Sequence, residues 1–191
     1  MDFVKQIAKF KSRLTIEMPI VRMDYHILLI EVTSKSPKRY RQAVENIARF
    51  FQQEFGYDGL QYCAESDDGL AFLFIDYSGM NVTDNDKWDL QTIGTICFRC
   101  RTYRGEKVPI WTLDWVWLHP FKRNQNELSH YFDKFIKDLG YFYVTPPLSK
   151  SMIRFLEKEE YLIEFDRVKE KNFLEFLRCT SSYDPKELVN R

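Results

Sequence analysis

Two apolar rhythms share this chain, one of period 3.6 and one of period two, and their order predicts its elements. Phe3, Ile7, Phe10 and Leu14 make a stripe among lysines, so residues 2–14 read as a basic amphipathic helix. Tyr25 to Thr33 (YHILLIEVT) suits a buried strand, with His26 a half-buried residue at its start. Ser36 as N-cap and Pro37 at the first helical position open a helix that Gly56 closes, with Tyr40, Val44, Ile47, Phe51 and Phe55 as its core stripe. A short strand is predicted at Gln61 to Ala64, another at Leu70 to Tyr77, and a long polar loop at Asn81 to Asp89. Gln91 to Tyr103 and Val108 to His119 form a hairpin across Arg104-Gly105-Glu106.

The most informative stretch follows. An aromatic strand (WTLDWVWLH, from Trp111) runs through Pro120 and a polar turn (KRNQNEL) into a helix whose stripe is Leu128, Tyr131, Phe132, Phe135, Ile136 and Leu139, with Gly140 as its C-terminal cap. A strand that feeds a helix start makes an anion site, because the first helical N–H groups lack intrahelical partners and lie at the positive end of the helix dipole. Lys122 and Arg123 add full positive charge beside them. Tyr141 to Thr145 then reads as a strand, Ser149 to Tyr161 as a helix, and Val168 to Arg178 as a short helix in a charged tail. The order β-α-β-β-β-α-β-α-β implies an α/β (α+β) domain, a mixed sheet with helices on both faces.

At these residues the chain resembles the GNAT acetyltransferase superfamily, whose motif is a strand ending in V-x-P, an R/Q-x-x-G-x-G/A turn and a helix. Leu118-His119-Pro120 stands at the strand end and Arg123 at the Arg/Gln position, while Asn126 and Leu128 stand where the family has glycine and a small residue. The next helix resembles N-x-x-A-x-x-x-Y-E-K-x-G-F, with Ser149 at the Asn, Met152 at the Ala, Glu157-Lys158 at the Glu-Lys and Leu156 at the tyrosine. The resemblance covers roughly Thr92 to Phe165 and implies a GNAT-like sheet and transfer of acetyl from acetyl-CoA to an amine by direct attack. It assigns pyrophosphate binding to the turn Lys122, Arg123, Asn124, Gln125, Asn126, Glu127 and Leu128, mostly through backbone amides. Thioester contacts fall to the backbone around Trp117 and Leu118.

Two catalytic residues are expected. Asp114, an acid inside a strand of tryptophans, is the candidate general base; a strand carboxylate paired with Lys or Arg is the equal alternative. Tyr143 is the candidate acid that replaces the missing tyrosine, and His119 is a further group that could act through water or simply hold the strand end. Trp111, Trp115 and Trp117 share a strand face, as core or as the wall of a groove. The alternative to an enzyme is a catalytically silent GNAT-like interaction module.

Composition narrows the rest. At 191 residues one domain is expected over 1–191, with a helical extension at 1–19 and a tail at 166–191. Hydrophobic residues make 45% of the chain and aromatics 16%, which excludes a disordered or fibrous protein. Lys+Arg and Asp+Glu are equal at 28 each, so no global field draws the chain to nucleic acid. Four cysteines and no long apolar run imply a cytoplasmic protein without a membrane span. Cys97 and Cys100 point to opposite faces of a strand, and the acids Asp84, Asp86 and Asp89 lack a calcium loop's glycine and glutamate, so no metal is expected. The expected partner is an amine acceptor, small molecule or protein, with a homodimer left open.

Overall fold

In the computed structural model the described residues are 16–25, 27–76, 81–83, 87–102, 109–140, 142–145, 148–158 and 177–179. The helix predicted at 2–14, the turn at 104–106 and most of the helix at 168–178 lie outside them. The elements run β1 (Ile20–Met23), β2 (Leu29–Val32), α1 (Lys38–Phe55), β3 (Leu70–Ile75), β4 (Asn81–Val82), β5 (Trp88–Arg101), β6 (Ile110–Leu118), a 3-10 turn (Pro120–Lys122), α2 (Glu127–Leu139), β7 (Phe142–Val144), α3 (Lys150–Lys158) and β8 (Leu177–Cys179). Strands hydrogen-bond in the order β2-β3-β5-β6-β7-β8, with β1 and β4 also on β5. The sheet is mixed: β6 and β7 are parallel, whereas β1–β5, β2–β3, β4–β5 and β7–β8 are antiparallel. From β5 onward this is the strand, turn, helix, strand, helix order that the GNAT resemblance implies.

The chain divides into two compact units, Met1–Ile96 with Val116–Glu127, and Cys97–Trp115 with Leu128–Arg191. In the first, α1 buries Tyr40, Ala43, Val44, Ile47, Ala48 and Phe51, which fall at i, i+3, i+4, i+7, i+8 and i+11 and so share one face, as an amphipathic helix requires. Gly56 at φ 69° caps it, its N–H donating to the Gln52 carbonyl at 2.8 Å. The apolar run of β3 is buried from Ala71 to Ile75. In the second unit Phe98 of β5 meets Phe135 of α2 at 5.4 Å and Phe142 of β7 at 5.0 Å, while Phe132 packs on Phe142 and on Phe155 of α3.

Several expectations are corrected. Pro37 rather than Ser36 is the N-cap; the Ser36 hydroxyl instead accepts from the Thr33 N–H at 3.0 Å. Gln61 to Ala64 is not a strand: Ala64 opens a turn held by Arg41 on its carbonyl and by Glu45 on its N–H. The polar stretch from Asn81 contains β4 and the start of β5, and Asp89 is paired with Arg22 at 2.6 Å. The short alternation in β1 (exposed Ile20, buried Val21, exposed Arg22, buried Met23) was too brief to separate from its lead-in. Leu177 and Arg178 belong to a strand on β7, not to a helix.

Candidate functional site

The end of β6 is fixed before the turn begins. Alternation buries Trp115 and Trp117, at 3% and 2% exposure, which settles those two as core rather than groove wall; Trp111 is half-buried. The Trp117 ring lies 5.4 Å from that of Phe50, and its indole N–H donates to the Glu54 carboxylate at 2.7 Å. Both partners lie on α1. On β5, Gly94 sits against the backbone of Trp117 and Leu118, where no Cβ would fit. The His119 N–H donates to the Ile93 carbonyl at 2.8 Å, and there β6 ends.

From His119 the chain winds through one 3-10 turn. Its imidazole Nδ1 accepts from the Phe121 N–H at 3.3 Å, and the His119 carbonyl accepts from the Lys122 N–H at 2.8 Å. Arg123 is extended, at φ −72° and ψ 150°. Asn124 and Asn126 then both adopt φ 62°, the left-handed conformation in which asparagine is the commonest residue after glycine. Gln125 donates its side-chain amide to the Phe121 carbonyl at 2.7 Å. Glu127 opens α2 with an acid in the first turn, where the helix dipole favours one. The family's glycine position is thus filled by an asparagine in glycine's conformation.

The charges beside the turn differ from expectation. Lys122 is paired with Asp76 at 2.7 Å, and Arg123 forms a two-point pair with Glu54, Nη1 to Oε1 at 2.7 Å and Nη2 to Oε2 at 2.5 Å. Arg123 Nε also donates to the Leu118 carbonyl at 2.9 Å, and the guanidinium carbon lies 5.7 Å from the Trp117 ring centre. Full positive charge is therefore not free at the turn, because two carboxylates offset both cations. Glu54 and Asp76 are the residues that sequence reasoning missed. One signal existed for Glu54: it sits in the last turn of a helix that has no basic residue there, where the dipole disfavours a carboxylate unless a cation comes from elsewhere.

Within the second unit, Asp114 is not a solitary acid among indoles. Its Oδ2 accepts from Arg99 and from Arg101, the latter at 2.7 Å, and its Oδ1 lies 3.4 Å from the Thr145 hydroxyl. The side chain is 5% exposed. Asp114 therefore ties β5, β6 and the end of β7 together, which is the ion-paired alternative, with both arginines on Oδ2. Strand register sets Tyr143 opposite Thr112, two residues from Asp114, so Tyr143, Thr112 and Asp114 share one sheet face. The β6–β7 pairing stops at Leu113 and Val144, whereas β6 continues to Leu118. Leu156, at the family's tyrosine position, is fully buried. Ser149 caps α3, its hydroxyl accepting from the Met152 N–H at 3.1 Å. Cys97 is buried and Cys100 exposed on opposite faces of β5.

Burial pushes the His119 imidazole below its ordinary range, and the nearby charges of Arg123 and Lys122 act in the same direction. With Nδ1 engaged by a backbone N–H, the neutral ring carries its proton on Nε2.

No family model matches the chain, and no curated protein does. Among solved structures it is similar to the ribosomal-protein-alanine N-acetyltransferase of Brucella melitensis biovar Abortus 2308, with 11% identity over 69% of this chain and 89% of that one and a TM-score of 0.43. It is similar to the xEco2 acetyltransferase domain bound to a CoA conjugate, with 10% identity over 82% and 92% and a TM-score of 0.47. An aminoglycoside acetyltransferase from an uncultured soil metagenomic sample shares 12% identity over 73% and 84%, with a TM-score of 0.37. Among the described residues no helix is long and apolar enough to cross a membrane.

Proposed function

We propose that the chain is a GNAT-type, acyl-CoA-dependent N-acyltransferase of the cytoplasm, taking acetyl from acetyl-CoA to an amine. The observation that carries this reading is the left-handed Asn124 and Asn126 between β6 and α2. They give the turn a glycine-like path without glycine, so the amides of Gln125, Asn126, Glu127 and Leu128 can face a pyrophosphate at the helix start. In this reading the backbone of Trp117 and Leu118 lies along the thioester. The neutral amine nitrogen attacks the thioester carbon, the C–S bond breaks, Tyr143 gives its proton to the leaving thiolate, and the proton the nitrogen sheds as the amide forms returns to Tyr143 by way of solvent. The ammonium proton of the acceptor goes to solvent, since Asp114 is committed to two arginines.

Calorimetric titration with CoA and acetyl-CoA tests this directly. Binding with thermal stabilisation is the expected result; no heat and no shift at millimolar ligand would sink it. The reading favoured in that event is a silent interaction module, for which the offset charges of Lys122 and Arg123 and the buried Leu156 are the supporting observations.

A further inference from the structure

Resting on the turn as a CoA site, we propose that Glu54 is a positioning residue. It clamps Arg123 onto the end of β6 and so sets the path of the turn, leaving the ligand's phosphates to backbone amides rather than to the Arg123 side chain. All three guanidinium nitrogens are already engaged: Nε by the Leu118 carbonyl at 2.9 Å, Nη1 and Nη2 by the two oxygens of Glu54 at 2.7 and 2.5 Å. The same carboxylate accepts from the Trp117 indole at 2.7 Å, and the guanidinium carbon lies 5.7 Å from that ring's centre. These bonds use three of the five guanidinium N–H donors and hold the group against an aromatic ring, so it cannot swing toward a phosphate outside the reach of its two remaining N–H groups without breaking a charge-assisted fork. Arg123 immediately precedes the first left-handed residue, so its anchorage fixes where the reversal of the chain starts. Glu54 in turn has a reason to stand at the unfavourable end of α1, because the cation it needs arrives from the turn.

The two roles for Arg123 separate in a salt titration, since a direct charge contact with ligand is screened by salt and a bond made within the protein before binding is common to both states. CoA is titrated into the wild type, Glu54→Ala, Arg123→Ala and the double variant at two ionic strengths. The clamp predicts that each single change weakens CoA on the order of tenfold, the weight of one charged hydrogen-bonded pair. It also predicts that the double variant is no worse than either single one, and that Arg123→Ala leaves the salt dependence unchanged. Glu54→Gln, which keeps an acceptor for the indole, should fall between wild type and Glu54→Ala and serves if the alanine variant does not fold. Arg123→Ala flattening the salt dependence while Glu54→Ala or Glu54→Gln binds as well as wild type, or better, would overturn the proposal and make Arg123 a phosphate ligand. A wild type that binds no CoA would instead remove the CoA reading, and this proposal with it.

Discussion

Gly94 of β5 lies so close to Trp117 of β6 that a Cβ on the glycine would run into the tryptophan's carbonyl oxygen, and would stand 2.6 Å from Leu118 Cδ2 and 2.9 Å from Leu118 Cα. Two of those obstacles are backbone, which cannot rotate aside. The glycine therefore permits the close approach of two strands at the point where β6 hands over to the turn. Gly94→Ala is expected to destabilise the protein by about 1–3 kcal/mol, as overpacking does in a well-filled core. The urea midpoint should fall with the slope unchanged. A midpoint within error of wild type would mean that the strands can separate at no cost.

The two asparagines predict opposite responses to two substitutions. At φ 62° glycine is at ease, so Asn124→Gly and Asn126→Gly should leave stability and CoA affinity unchanged or slightly improved. A β-branched residue is strained there, and Asn126→Val should cost about 1–2 kcal/mol. If the glycine variant instead loses affinity with its fold intact, the amide side chain rather than the backbone path is what the turn needs. Thermal melts with and without CoA distinguish these cases.

Periodicity is legible where an element is long and one-sided: α1, α2, β3, β5 and β6 fall where their apolar residues put them. Asn126 at positive φ agrees with its place at the glycine position of the motif the chain resembles, because few residues other than glycine and asparagine tolerate that conformation. β1, β4 and β8 were not legible, since two to four residues carry too little alternation to outweigh Pro19, a polar loop and a charged tail. The partners of the site residues were hidden for another reason. Arg99 and Asp114 are 15 residues apart, and Glu54 and Arg123 are 69 apart. No local pattern records which distant charge a folded chain will bring to an acid. A desolvated base and an ion-paired acid therefore look alike along the strand WTLDWVWL.

Asp114 can be tested for structure against chemistry in one experiment. Exchanging a nearly buried carboxylate for an amide removes the negative charge that Arg99 and Arg101 share, and both arginines keep some contact with solvent. Asp114→Asn is expected to cost about 2–3 kcal/mol, toward the lower side of the loss for a broken buried pair because of that exposure. If acetyl transfer is found, the fall in rate should track the folded fraction and vanish when assays are run well below the melting point. A large loss of turnover in a variant as stable as wild type would restore Asp114 to the role of base.

His119 predicts a pH dependence. Its ordinary value is 6.5, and burial first, then the charges of Arg123 and Lys122, lower it in the folded chain. The unfolded chain then binds a proton more readily than the folded one in the window between the lowered value and 6.5. The group's contribution to stability is thus complete above the ordinary value and is lost as pH falls through the folded one. The urea midpoint of the wild type should decline as pH is lowered from about 7.5 to about 5, the range in which a histidine of this kind titrates. His119→Asn offers an amide oxygen in place of Nδ1, so it can still accept from the Phe121 N–H, but it cannot be protonated in that range. Its decline over the same interval should be shallower than that of the wild type. Parallel curves would show that His119 titrates alike in both states, and that the neutral ring inferred at the end of β6 is not maintained by the fold.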